Sequence, residues 1–478
     1  MTDRLTSLDA SFLYLEEPTT AMHVSAVMVF QPPEGGFDYD RLVGLVRQRI
    51  AEWPRYRQVV KDLPARLANP VWVDDRNFDL TYHVRRSALP RPGTDEQLEE
   101  FVARVQPRPL DRTRPLWEVY LVEGLQYGRF AVVTKTHQAL VDGVHALDIG
   151  HLLVSSEPGE IGSVVDTWRP APAPHDVELL GRALLDTLRT PGRVVEAVRE
   201  GFGEVREAGS RAADGLGSLA STLARTAARP APSSPLNTQI GSSRRFVMVG
   251  TDLADYRTIR ARVRARSAED DLSVNDVVLA TLAGAFRAWL LMRGESVHSR
   301  TVVRAMVPVS MYEAPFHADS APALGNRLAA CFVDLPVGEP VPSMRLHQVA
   351  FQMRHQIESG RAVEADTLAG VAGFASPTLH SLAARLGSAV SRRFFNVLVT
   401  NVPGPQWPLY AGPARMLSTY PVIPLAKGQA LAIGLTSYDG GVYYGLNADR
   451  ASMPDLDVLA QTIVDSLNEL LLDTEESA

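Results

Sequence analysis

Residues 135–148 read Lys-Thr-His-Gln-Ala-Leu-Val-Asp-Gly-Val-His-Ala-Leu-Asp, and His137 is the first candidate for chemistry. Imidazole is the side chain whose ordinary pKa lets it take up and return a proton near neutral pH. The amide of Gln138 beside it can hydrogen-bond a substrate but cannot take its proton. Ahead of the pair, residues 129–136 include Val132, Val133 and Thr134, which favour the pleated backbone of a strand. Behind it, Val141, Val144 and Leu147 recur at helical spacing, which puts Asp142-Gly143 at a strand-to-helix junction. Such a junction offers His137 and Gln138 to a cleft, with Asp142 close enough along the turn to steady the loop. The same residues also have a structural reading, because Asp-Gly is a common turn dipeptide and a single His near a strand end is usually packed.

Further blocks accompany this stretch. In order they are Leu8-Asp9-Ala10-Ser11-Phe12, Pro115-Leu116-Trp117-Glu118, Asn275-Asp276-Val277-Val278-Leu279, Pro308-Val309-Ser310, Leu324-Gly325-Asn326-Arg327 and Asn401-Val402-Pro403-Gly404-Pro405. With them, the chain resembles over essentially its whole length the bacterial wax ester synthase/acyl-CoA:diacylglycerol acyltransferase family. That family belongs to the CoA-dependent acyltransferases, whose motif is His-His-x-x-x-Asp-Gly. The resemblance assigns His137, Gln138, Asp142 and Gly143 to the catalytic motif. It assigns Pro115, Leu116, Trp117, Asn275, Asp276, Asn326 and Asn401 to substrate binding. One departure stands out: the family's second His is the general base, and aligning on Asp142-Gly143 puts Gln138 in its place. His137 fills the first place, which the family uses mainly to shape the site.

The resemblance implies an α/β protein of two halves in the chloramphenicol acetyltransferase-like arrangement. Residues 1–169 would carry the motif variant, 170–243 a Pro/Ala-rich helical crossover, and 244–478 the second half. Acyl-CoA and the acceptor would meet at the motif from opposite sides of a tunnel. There the hydroxyl of diacylglycerol, in triacylglycerol synthesis, or of a long-chain alcohol, in wax ester synthesis, would attack the thioester directly. Acyl-CoA enters as substrate, and no metal or redox cofactor is implied. Asp142 would hold the turn through an arginine, and Gly143 would permit its tight backbone.

With Gln138 in the base's place, three outcomes stay open. Gln138 positions the alcohol while His137, His145 or water takes the proton, giving a slow transferase. Alternatively the chain is a weak or inactive paralogue that binds acyl-CoA or neutral lipid, or it is a partner of active paralogues. Loss of a general base typically costs roughly 10²- to 10⁴-fold, which slows an enzyme without necessarily abolishing it. Against His137, neighbours on an extended backbone point to opposite sides.

Composition excludes several other classes. A chain of 478 residues, 45% hydrophobic and 22% charged, has the material for two domains. A net charge of -7 without a basic stripe argues against a nucleic-acid partner. The single cysteine, Cys331, lies in Leu-Ala-Ala-Cys-Phe-Val, the setting of a packed core thiol, and a reducing cytosol fits. Gly-x-Ser-x-Gly, a Walker-type loop, His-Glu-x-x-His and a dinucleotide glycine loop are all missing. The N-terminus has no apolar run of the signal-peptide kind. The longest apolar run, 277–292, contains Arg287 and falls short of the roughly 20 residues a span needs. The expectation is a cytoplasmic protein, with any contact with a membrane or lipid droplet peripheral, on the inner face of the plasma membrane.

Along the chain, periodicity predicts strands at 23–30, 116–122, 301–309, 328–335 and 396–400, and helices at 39–50, 95–105 and 277–291. Ser273 with Asp276 forms a capping box, which gives the Asn275-Asp276 block a structural explanation. Trp117 reads equally as a core residue or as a substrate wall. Leu110-Asp111-Arg112 falls in a turn among Pro107, Pro109 and Pro115. Asn401 to Pro405 reads as a rigid loop with conformational freedom at Gly404. Residues 430–436 and 442–446 form a hairpin across Asp439-Gly440-Gly441, and a helix at 455–472 precedes an acidic tail. In the crossover, Leu179, Leu180, Ala183, Leu184 and Leu188 make an apolar stripe, which suits packing on the protein or lying on a membrane surface.

Overall fold

The computed structural model describes residues 3–5, 7–63, 69–141, 149–162, 166–172, 230–266, 272–310, 328–358, 363–364 and 394–476. The crossover stripe at 179–188, Asp142, Gly143, His145 and Asn326 lie outside them. Three sheets organise the described chain. A small one pairs β1 (Asp3–Arg4), β4 (Val71–Asp74) and β3 (Gln58–Lys61). The six-stranded sheet runs β13 (Tyr410–Ala411), β14 (Ala414–Val422), β2 (His23–Gln31), β7 (Phe130–His137), β6 (Trp117–Glu123) and β5 (Val84–Ala88). The seven-stranded sheet runs β11 (Val363–Glu364), β10 (Leu328–Leu335), β9 (Val303–Ser310), β12 (Val397–Pro403), β15 (Leu431–Tyr438), β16 (Gly441–Asp449) and β8 (Arg244–Asp252).

Helices follow from apolar periodicity and caps. In the first half they are α1 (Ser7–Leu15), α2 (Tyr39–Ile50), α3 (Leu80–His83), α4 (Asp95–Val105), α5 (Gln138–Val141) and α6 (Ile149–Leu153). Asp38 caps α2, which buries Leu42, Val43, Leu45, Val46 and Ile50. Thr94 and Gln97 form a capping box on α4. The second half carries helices Leu253–Arg266, Val274–Met292, Pro342–Glu358 and Leu456–Glu476. They share one core with alternate residues of the seven-stranded sheet, among them Val442, Tyr444 and Leu446 of β16. Cys331 is buried in that core, as its setting predicts.

Helix Val274–Met292 opens with the predicted Ser273–Asp276 capping box. It is longer than expected, 19 residues, and by length and composition it would suffice to cross a membrane. Every residue from Asp276 to Phe286 is nevertheless buried within the protein, so its apolar character serves the core.

Three other expectations are corrected. Strand β12 extends through Asn401, Val402 and Pro403, because these pair in parallel with Leu435, Thr436 and Ser437 of β15. Gly404 is required by a close approach, since a Cβ there would stand 2.4 Å from the Ser437 carbonyl oxygen. The terminal helix incorporates the acidic end: the Asp473 carboxylate accepts the Ser343 N–H at 2.9 Å, and Glu475 pairs with Arg262 at 3.5 Å. The β15–β16 hairpin forms as predicted, with positive φ at Asp439 and Gly440.

The halves interlock. Strand β14, from the second half of the chain, joins the first half's sheet beside β2, from Arg415↔Gln31 to Val422↔Ser25. Phe246 of β8 packs with α4, β2 and β7 in a shared cluster. Glu99 of α4 accepts the Met248 N–H of β8 at 2.7 Å. Burial, and then the neighbouring Glu96 and Asp95, push the Glu99 carboxyl up to about 7 from 4.5. The folded state therefore binds this proton more tightly than the unfolded chain. Stability falls as pH rises from 4.5 to about 7. Glu99→Gln keeps an acceptor for Met248 and removes the charge. It is expected to add roughly 1–3 kcal/mol at about pH 8 and little at about pH 4. Equal gains in denaturation midpoint at both pH values would show that this carboxyl is not linked to folding.

Candidate active site

Strand β7 is buried along its whole length and delivers His137 at its end. The strand-to-helix change falls at His137 and Gln138, earlier than the expected Asp142-Gly143, because α5 starts at Gln138. Backbone pairing holds this end from both sides. The His137 N–H donates to the Leu116 carbonyl at 3.0 Å, and the Gln138 N–H donates to the Met22 carbonyl at 2.9 Å. His23 of β2 stands directly opposite His137, their rings edge to face at 5.7 Å.

The two motif side chains part company here. His137 is 1% exposed, while Gln138 is half-buried. The Ala139 N–H donates to His137 Nδ1 at 3.0 Å. Nδ1 is thus the acceptor nitrogen, which puts the proton of the neutral ring on Nε2. That Nε2–H faces Glu16 Oε2 at 3.8 Å. Burial, partly offset by the Glu16 charge and assisted by His23 and Arg112, pushes the His137 imidazole down to about 3. Burial also lowers His23. The His137 ring is neutral at pH 7, and its lone pair is already engaged. In this geometry His137 is not placed to take a proton from an alcohol.

Glu16, just past α1, is the charged centre of the cluster, with its side chain 9% exposed. Its Oε1 lies 3.0 Å from His23 Nε2 and accepts the Met22 N–H at 3.3 Å. Its Oε2 accepts from Arg112 at 2.6 Å, and Arg112 also reaches the Leu13 carbonyl at 2.8 Å. Burial opposes ionisation of Glu16, but His23, His137 and Arg112 outweigh it and hold the carboxyl below the usual carboxylate range. Arg112 sits on the predicted turn, which the Asp111 carboxylate ties down by accepting from the Thr113 N–H at 2.9 Å.

Nearby, the Lys135 ammonium is buried opposite Glu118 and donates to the carbonyls of Val105, at 3.0 Å, and of Arg108. Its burial lowers it to about 8. Sequence reasoning missed Glu16, His23 and Arg112, because residues so far from the motif share no spacing with it, and it gave no role to Lys135 at the start of the motif stretch. The available signal was polar residues on otherwise apolar strands, Lys135 and His137 alternating on β7 and His23 opening β2.

The remaining sequence candidates divide by location. Pro115, Leu116 and Trp117 are buried, Leu116 and Trp117 at 0% exposure. The Trp117 indole donates to the Tyr56 carbonyl at 2.7 Å and stacks on His83 at 4.5 Å, so the ring is fully enclosed by core. Asn275 and Asn401, from separate sequence blocks, meet in a 3.0 Å hydrogen bond between their amides. Asp276 completes the helix cap.

Two interlocked α/β halves with this motif at a strand end define the CoA-dependent acyltransferase class. Comparison with known proteins narrows it. The wax ester synthase/diacylglycerol acyltransferase catalytic domain matches residues 5–278, and the C-terminal domain of that family matches 324–471. A probable diacylglycerol O-acyltransferase of Mycobacterium tuberculosis, tgs3, is 48% identical over 270 residues, which are 55% of this chain and 97% of that protein. Another from the same organism, tgs2, is 32% identical over 97% of both chains. The wax ester synthase/diacylglycerol acyltransferase from Marinobacter aquaeolei VT8 superposes with a TM-score of 0.68 at 28% identity, covering 99% of this chain and 100% of that one. The chain belongs to the wax ester synthase/diacylglycerol acyltransferase family.

Proposed function

We propose that this protein transfers a long-chain acyl group from acyl-CoA to diacylglycerol or a long-chain alcohol. The observation that carries this is the family match across both halves, together with a half-buried Gln138 held at the end of β7 by Met22. The new C–O bond forms as the C–S bond breaks, and the hydroxyl proton ends on the CoA thiol. Gln138 can accept a hydrogen bond from the attacking hydroxyl or donate one to the thioester oxygen, which orients the reactants without removing the proton. Proton removal then falls to water or the leaving thiolate, and the transferase is slow.

A second reading, binding of acyl-CoA or neutral lipid without turnover, is favoured by the engaged lone pair of His137. The division into 1–169, 170–243 and 244–478 remains our proposal, supported by the start of β8 at Arg244. So does a cytoplasmic, at most peripherally attached protein, supported by the burial of helix Val274–Met292.

One preparation tests these readings. Acyl-CoA consumption is measured with diacylglycerol and with hexadecanol, in the soluble fraction and in material released from membranes by salt and carbonate. Slow ester formation is expected, with protein in those fractions. No product, with a thermal shift on adding long-chain acyl-CoA, selects the binding reading. Neither product nor shift removes both, and protein retained after carbonate removes peripheral attachment.

A further inference from the structure

We propose that Glu16 is a positioning residue for the acyl-transfer site, setting the place of Gln138 through two routes. This rests on the acyl-transfer reading above. The first route is backbone: Glu16 Oε1 accepts the Met22 N–H at 3.3 Å, and the Met22 carbonyl accepts the Gln138 N–H at 2.9 Å. One residue, Met22, thus transmits the carboxylate's position to the backbone of Gln138. The second route is the ring: Glu16 faces the Nε2–H of His137, whose Nδ1 receives the Ala139 N–H at the start of α5. A negative charge on the Nε2 side favours the tautomer that leaves Nδ1 free to accept.

The surroundings suit a fixed anchor. Glu16 faces His23, His137 and Arg112, with both oxygens engaged. Its segment is also tied to the second half of the chain. Glu17 pairs with Lys427 at 2.8 and 3.0 Å, and the Thr19 carbonyl accepts from Arg244. The turn that carries Glu16 therefore joins the motif to both halves. Glu16 is not the missing base, because its carboxylate is committed to these partners and held in its weakly basic, ionised form.

The test is Glu16→Gln, which keeps the shape and removes the charge. We expect kcat to fall by roughly tenfold to a hundredfold, the scale of a small misplacement of reacting groups, with the KM for acyl-CoA changed less than about twofold. The nitrogen-15 resonances of His137, assigned by their loss in His137→Asn, should move away from the Nε2–H tautomer. If Glu16→Gln does not fold, Arg112→Gln at the half-exposed end of the cluster serves, with a smaller loss in the same direction. Unchanged kcat, an effect confined to KM, or an unmoved His137 signature in a folded variant overturns the proposal. If the natural protein shows no transfer at all, the functional reading fails, and the nitrogen-15 signature alone decides whether Glu16 holds His137.

Discussion

Gln138→His is expected to raise acyl transfer by at least tenfold, a barrier change of about 1.4 kcal/mol. The gain follows from what the site already has. The backbone of residue 138 is pinned to Met22, and its half-buried side chain leaves the sheet beside a buried, neutral His137. An imidazole there supplies a basic nitrogen that can take up the hydroxyl proton; the Gln amide cannot do this, and the acceptor nitrogen of His137 is already engaged. The new activity should rise with pH as the added ring loses its proton, through a midpoint near ~6.5. His137→Ala in the natural protein is the companion measurement. A large loss there, with no gain from Gln138→His, would make His137 the working base and reverse the roles assigned here. If neither substitution alters a measurable rate, the binding reading replaces catalysis.

Trp117→Ala is expected to cost about 3–5 kcal/mol of stability, as large-to-small changes of a buried aromatic do. The ring is fully enclosed, stacks on His83 and donates to the Tyr56 carbonyl. Its removal opens a cavity and leaves that carbonyl without its donor. Denaturant midpoints of the two proteins measure the loss. A change under about 1 kcal/mol accompanied by altered acyl-chain preference would mean that the ring faces substrate after all.

Elements with a single strong period were legible in the sequence. Helix α2 and helix α4 appear with the predicted bounds because their apolar stripes are clean and their caps local. The Ser273–Asp276 box was readable for the same reason. Boundaries set by tertiary pairing were not. Pro403 looks like a strand breaker, yet β12 includes it because β15 is there to pair with. At the site, the motif was visible as adjacent residues. The partners that fix His137 come from positions 16, 23 and 112, joined only by the sheet and the Asp111 turn. Helical spacing at Val141, Val144 and Leu147 moved the expected junction too late, since the pairing that ends β7 involves Met22 and Leu116.

The place of β14 bears on how the protein is made. During synthesis β2 emerges early, but its outer edge gains its partner only when residues 414–422 have left the ribosome. Until then the sheet carrying His137 has an open edge, the kind of surface that invites pairing with other chains. A polypeptide released before that point has the whole motif yet an unfinished sheet behind it. Termination before residue 414 therefore leaves the β2 edge of that sheet without its partner strand, a surface prone to pairing with other chains.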